Sequence, residues 1–196
     1  MKFRYAPGLV ALIAGMVAIP VASQAAPQSC TAGKPTPASS TWDFHGEATR
    51  LLSGIQVDAA KAHDRAAKID AFTLDGNVSW EFHADQLAAL KREVDDMGQE
   101  VCRLQQIRRV AAPWQRKAID DATPSVRLMA DNVNDAINFL NQYQDNFWDP
   151  GYRHNVSNVL HESGQLSQSV KGLEQFAKVH RQGMQPQVKT GTERHS

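Results

Sequence analysis

Residues 48–69 read ATRLLSGIQVDAAKAHDRAAKI. Within this stretch Ala48, Leu52, Ile55, Ala59, Ala62, Ala66 and Ile69 recur at alternating steps of four and three. That spacing keeps one apolar stripe on one side of an α-helix, facing a neighbour. The middle of the stripe is all alanine. Either a partner helix approaches closely there, or large side chains cross over to fill the space.

Three further stripes follow. The second is His83, Leu87, Leu90, Val94, Met97, Val101 and Leu104. The turn signal Asp75-Gly76-Asn77 separates it from the first, with Ser79 placed as an N-cap. The third helix opens at Pro113, a residue suited to a first turn. It meets Thr123-Pro124, where either Thr123 caps a new helix or one long helix kinks. Beyond that point the stripe is Val126, Ala130, Val133, Ile137 and Leu140, with Pro150 and Gly151 expected to stop the helix. The fourth stripe is Tyr152, Val156, Val159, Ser163, Leu166, Val170, Leu173, Ala177 and His180. No alternating strand pattern competes. The expected fold class is all-α, an up-down-up-down antiparallel four-helix bundle over residues 42–182.

The ends read differently. Residues 1–25 have the order of a secretory signal peptide: Lys2 and Arg4, an apolar run densest from Leu9 to Ile19, then Pro20 and small residues up to Ala25. The dense run is well short of the ~20 residues that span a bilayer. Cleavage, rather than a retained anchor, is therefore expected. Pro27 stands where a lipobox before Cys30 would need an aliphatic residue. Residues 26–41, rich in Pro, Ser and Thr, read as a disordered leader, and residues 183–196 as a flexible tail. The expected product is exported, periplasmic or extracellular, and not integral to a membrane once cleaved.

Removing Lys2 and Arg4 leaves 21 − 2 = 19 basic against 21 acidic residues. A formal charge of 19 − 21 = −2 argues against nucleic acid as a partner. Cys30 and Cys102 are the two cysteines. In an oxidising compartment such a pair suggests one disulfide. Folding the first helical hairpin about residue 76 brings Cys102 level with the start of the first helix, within reach of the leader. The alternative is a small buried hydrophobe at Cys102 and an unrelated leader thiol.

No catalytic, cofactor-binding or metal site emerges from the pattern. His154 and His161 stand two helical turns apart, too far to share an ion, and the Glu-x-x-His pairs of di-iron bundles are missing. The Cys-x-x-Cys-His of covalent haem and the Gly-x-Ser-x-Gly of a nucleophile elbow are missing as well. Two patches stand out instead. Arg103, Arg108, Arg109, Arg116 and Lys117 gather at one end, as solvated helix termini or as contacts to an anionic surface. Trp80, Phe82, Phe147, Trp148 and Tyr152 gather at the other, as an aromatic plug or a patch for a partner. The functional expectation is a non-enzymatic envelope interaction or structural protein. A carrier of a small ligand, haem or metal, using space beside Ala59, Ala62 and Ala66, is the alternative.

Overall fold

A computed structural model describes residues 43–75, 78–144 and 146–183. The expected signal peptide, the expected leader with Cys30, and the expected tail beyond residue 183 lie outside the described residues. Four helices make up the fold: α1 Phe44–Phe72, α2 Trp80–Ile107, α3 Pro113–Gln142 and α4 Pro150–Gly183. No strand occurs among the described residues. α1 packs on α2 and α4, and α3 packs on the same two neighbours, which makes a four-helix bundle.

Cross-helix contacts set the registers. Arg103 meets Glu47 at the start of α1, and Phe82 meets Phe72 at its end. Gln105 meets Thr123 across α2 and α3, and Asn132 meets Asn158 across α3 and α4. Gln56 meets Ser167 while His63 meets Leu160 across α1 and α4. Early residues pair with late ones between α1 and α2 and between α1 and α4.

Helix ends follow local chemistry. Asp43 caps α1, its Oδ1 accepting from Gly46 N at 2.9 Å. At the other end the Thr73 backbone N–H and hydroxyl both donate to the Asp70 carbonyl. Ser79 has the extended backbone of an N-cap but makes no side-chain cap bond. After α2 the chain makes one 3-10 turn, Arg108–Val110, and Pro113 then opens α3. Gln115 supplies the cap that Ala112 cannot, accepting from the Ala112 N–H at 2.8 Å.

One boundary expectation is corrected, and one open alternative is decided. Pro150 does not stop the third helix. α3 ends at Gln142, and Pro150 is the first residue of α4. Asp149 caps it, accepting from Gly151 N at 2.7 Å; proline suits this place because a first-turn N–H would have no helical partner. Thr123 does not start a new helix either. α3 runs through Pro124 unbroken, and the Thr123 hydroxyl donates to the Ile119 carbonyl at 2.7 Å.

The first two stripes are buried throughout. Each fully buried leucine or isoleucine contributes roughly 1.5–3 kcal/mol. On α3 the expected phase is shifted. Met129 and Ala136 are buried where Ala130 and Ile137 were expected, and those two are only partly covered. Apolar residues stand side by side at both places, so periodicity alone could not choose between them. On α4 burial is complete from Tyr152 to Val170 at the stripe positions and partial at Leu173 and Ala177.

The alanine stretch of α1 is where α4 comes closest. Ala59, Ala62 and Ala66 are fully buried. The His63 ring donates from Nδ1 to the Leu160 carbonyl at 2.9 Å, and the Ser167 hydroxyl donates to the Gln56 carbonyl at 3.2 Å. Side chains of this length reach across to backbone only when two helices are near. Gly164 lies in the same seam, and a Cβ there would sit 3.0 Å from His63 Nδ1. Gly172, by contrast, has nothing within 4 Å of a Cβ and no positive φ. Gly172→Ala should therefore stabilise the bundle by up to ~1 kcal/mol through helix propensity. Gly164→Ala should lower the melting temperature, since it displaces His63. Thermal unfolding followed by circular dichroism checks both signs.

Candidate functional site

The two ends of the bundle differ in what they leave available. At the basic end most charge is already matched. Arg103 donates to Glu47, its Nε 2.6 Å from the carboxylate. Arg108 makes a two-armed pair with Asp120, at 2.7 and 2.6 Å. This pairing holds the Asp120 carboxyl below its usual range. Lys117 pairs with Asp121 one turn along α3 at 2.8 Å, and Arg116 donates to the Ala111 carbonyl. Arg109 is exposed. The sequence brings these five residues together, and the fold spends the charge of three of them on neighbouring carboxylates.

The opposite end is built on His83. The ring is fully buried, with Nδ1 3.0 Å from the Tyr152 hydroxyl. Phe147 stacks on it at 4.5 Å between ring centroids, while Phe82 meets it edge-on at 5.7 Å. Phe72 packs against Phe82, and Lys68 Nζ lies 5.2 Å above the same ring, a cation–π distance. Burial holds the imidazole below its ordinary value, opposed in part by the nearby Phe72 backbone. Burial also pushes the Tyr152 hydroxyl well up. Both groups are therefore neutral near pH 7, as a core plug requires.

Of the five aromatic residues picked out from the sequence, Tyr152 and Phe147 are buried and Trp80 and Phe82 are partly covered. These four pack the end of the bundle. Trp148 alone of the five is open, at 53% exposure. Two residues outside that set join it at the same end: Leu74 in the turn after α1 and Tyr143 at the close of α3, both exposed. Each exposed ring is backed by a more deeply packed one. Trp148 rests against Phe147 at 5.4 Å and Tyr143 against Phe139 at 5.0 Å.

Between Tyr143 and Trp148 lies a cleft of about 570 Å³, lined also by Asn141, Gln142, Gln144 and Asn146. Sequence reasoning missed these amides. Their signal was compositional, a run of amide residues around one tyrosine, and it carried no periodicity to attract notice. A second, larger groove of about 800 Å³ runs along the start of α1 to Trp114. Its polar groups are largely engaged with one another. Gln115 donates to the His45 carbonyl and the Thr49 hydroxyl, and Asp43 is occupied as a cap.

Glu100 is the other group that sequence gave no reason to single out. Its carboxyl lies against the α-carbon of Gly54 in the α1–α2 seam, where a Cβ would collide with it. Its Oε2 is buried without a hydrogen-bond partner. Desolvation first, then the charges of Asp58 and Asp96, push the carboxyl up to about 7, with Arg50 and Lys61 acting the other way.

Cys102 is half-buried on α2, and its expected partner Cys30 lies outside the described residues. Among the described residues no group of three or more His, Cys, Asp and Glu side chains is placed to hold a metal ion. None of the helices is long and apolar enough to cross a membrane, again among the described residues. Comparison with protein-family models, with curated proteins and with solved structures found no match.

Two measurements test these environments. Tyr152→Phe removes the hydroxyl from a buried ring nitrogen and should cost about 1–3 kcal/mol, read from denaturant unfolding. For Glu100, the folded carboxyl keeps its proton to about 7 while the unfolded one releases it near 4.5. The folded state then binds more protons across that window, so stability is present below 4.5 and is lost as pH rises through 7. Glu100→Gln carries no such slope. The melting temperature of the variant should gain on the parent between pH 5 and pH 8, and parallel curves would contradict the assignment.

Proposed function

We propose that this chain is an exported, non-enzymatic recognition protein of the cell envelope, and that it makes contact through its aromatic end. The observation that carries the reading is the pair of exposed rings, Tyr143 and Trp148, that line one cleft. Arg103, Arg108 and Lys117 are matched by carboxylates within the chain. Tyr143 and Trp148, by comparison, are large rings held out to solvent beside one another. Exposed aromatic residues grouped on a packed base are what recognition surfaces use, because a stiff ring loses little freedom on binding.

Export is supported by the charged, apolar and small-residue order of residues 1–25. In that compartment a Cys30–Cys102 disulfide would tie the leader to α2, supported by the even cysteine pair and by the level of Cys102 near the start of α1. Alkylation under non-reducing conditions that labels both thiols would remove the disulfide from the account.

The contact surface is tested in the native envelope fraction. Trp148→Ala should release the protein from that fraction while altering stability by no more than ~0.5 kcal/mol, as surface substitutions do. Combined charge reversal at Arg108, Arg109 and Lys117 should leave it bound. The opposite pattern would hand recognition to the basic end and an anionic surface.

A further inference from the structure

We propose that the cleft between Tyr143 and Trp148 binds a glycan chain. The inference rests on the recognition reading above and names the ligand class for it.

The lining carries the chemistry. Tyr143 and Trp148 each expose half of their surface, at 53%. Aromatic faces carry partial negative charge, and the C–H-rich face of a pyranose ring presents the complementary partial positive charge. Asn141, Gln142, Gln144 and Asn146 complete the lining. A primary amide offers donors and an acceptor side by side, which matches a pair of vicinal hydroxyls. Among the described residues the cleft is lined with aromatic and amide side chains. Its volume of about 570 Å³ falls in the range of small-ligand sites.

The same amides decide against an apolar peptide or lipid. Among the described residues none of the four makes a side-chain hydrogen bond to another. Covering them with an apolar partner would strip their water and return no bonds, which is costly for each group left unpaired. A polyhydroxylated ligand replaces that water group for group.

The site is also held in place before a ligand arrives. Tyr143 closes α3, its N–H donating to the Phe139 carbonyl at 2.9 Å. Asn146 N donates to the Tyr143 carbonyl and Asp149 N to the Asn146 carbonyl, both at 3.0 Å, so the turn is pinned between two helix ends. Behind Trp148 stands Phe147, which is stacked on His83. The buried plug thus acts as the support for the exposed rings, and preorganised rings bind with less entropic loss.

The test is titration of the full mature chain with two neutral tetrasaccharides, one of β-1,4-linked N-acetylglucosamine and one of β-1,4-linked glucose, followed by calorimetry and tryptophan fluorescence. Saturable binding of at least one is expected, and the preference between them identifies an N-acetylated cell-wall type of glycan or a plain hexose polymer as the source. Trp148→Ala and Tyr143→Ala should each weaken binding about tenfold or more, while Trp114→Phe, at the far end, should leave it unchanged. Circular dichroism melts establish that the variants are folded. Absence of binding by both sugars at roughly millimolar concentration, the weak end of specific recognition, overturns the proposal. Binding that survives Trp148→Ala overturns it too. If Trp148→Ala frees the protein from the envelope but neither sugar binds, the aromatic end still recognises a partner and the glycan assignment fails. If a sugar binds at the cleft but Trp148→Ala stays in the envelope fraction, the glycan site stands and the envelope reading fails.

Discussion

The close passage of α1 and α4 is the constraint on which the rest of the bundle depends. Helix separation is set by the side chains at the contact. Ala59, Ala62 and Ala66 on α1 let the backbones near enough for His63 and Ser167 to reach carbonyls of the opposite helix. The narrow seam leaves the alanine side of α1 occupied by α4 itself. Ala59, Ala62 and Ala66 are themselves fully buried. Toward the ends the side chains become large, with Leu51, Leu52 and Ile55 on one side of the seam and Ile69 on the other. The volume that must be filled there explains why the aromatic residues collect at an end of the molecule.

Polar groups in the core fix the register that the alanines alone would leave loose. Small apolar residues pack nearly as well one turn out of place, whereas hydrogen bonds do not. Gln115, 1% exposed, has partners on both α1 and its own helix start. Asn132 accepts from Asn158 at 2.9 Å and donates to the Leu128 carbonyl. His83 is matched to Tyr152. A shift of one turn would bury each of these without its partner, a loss of ~1–3 kcal/mol at each site. Buried polar residues are known to specify register in helical assemblies, and here they sit at three different levels of the bundle.

The stripes on α1 and α2 were fully legible, because an unbroken four-three spacing has one solution when its flanks are polar. α3 was legible only to within one position. Met129 beside Ala130, and Ala136 beside Ile137, give two apolar phases of equal merit, and packing against α2 and α4 chose between them. Pro150 was misread because proline halts a helix that precedes it and opens one that follows, and Asp149 as a cap was the cue for the second. The candidate site was less legible still. Aromatic residues at one end could be foreseen from topology, yet which of them face water depends on the turn after α3, whose path has no periodicity. Glu100 is invisible in one dimension. Its environment exists only because Gly54 arrives opposite it on α1.

Charge gives a final reason for proposing recognition at the aromatic end. A basic cluster attracts an anionic surface through charge that is free to be shared, and in salt its reach is about 8–10 Å. Arg108 and Lys117 already hold carboxylates at 2.6 and 2.8 Å, so an incoming anion competes with partners supplied by the fold. At the aromatic end Tyr143 and Trp148 are each half exposed, and displacing water from a ring is favourable. The same packing that buries Phe147 and Tyr152 leaves Trp148 exposed with its back supported. Stability and availability are thus divided between adjacent residues, Phe147 facing the core and Trp148 facing out.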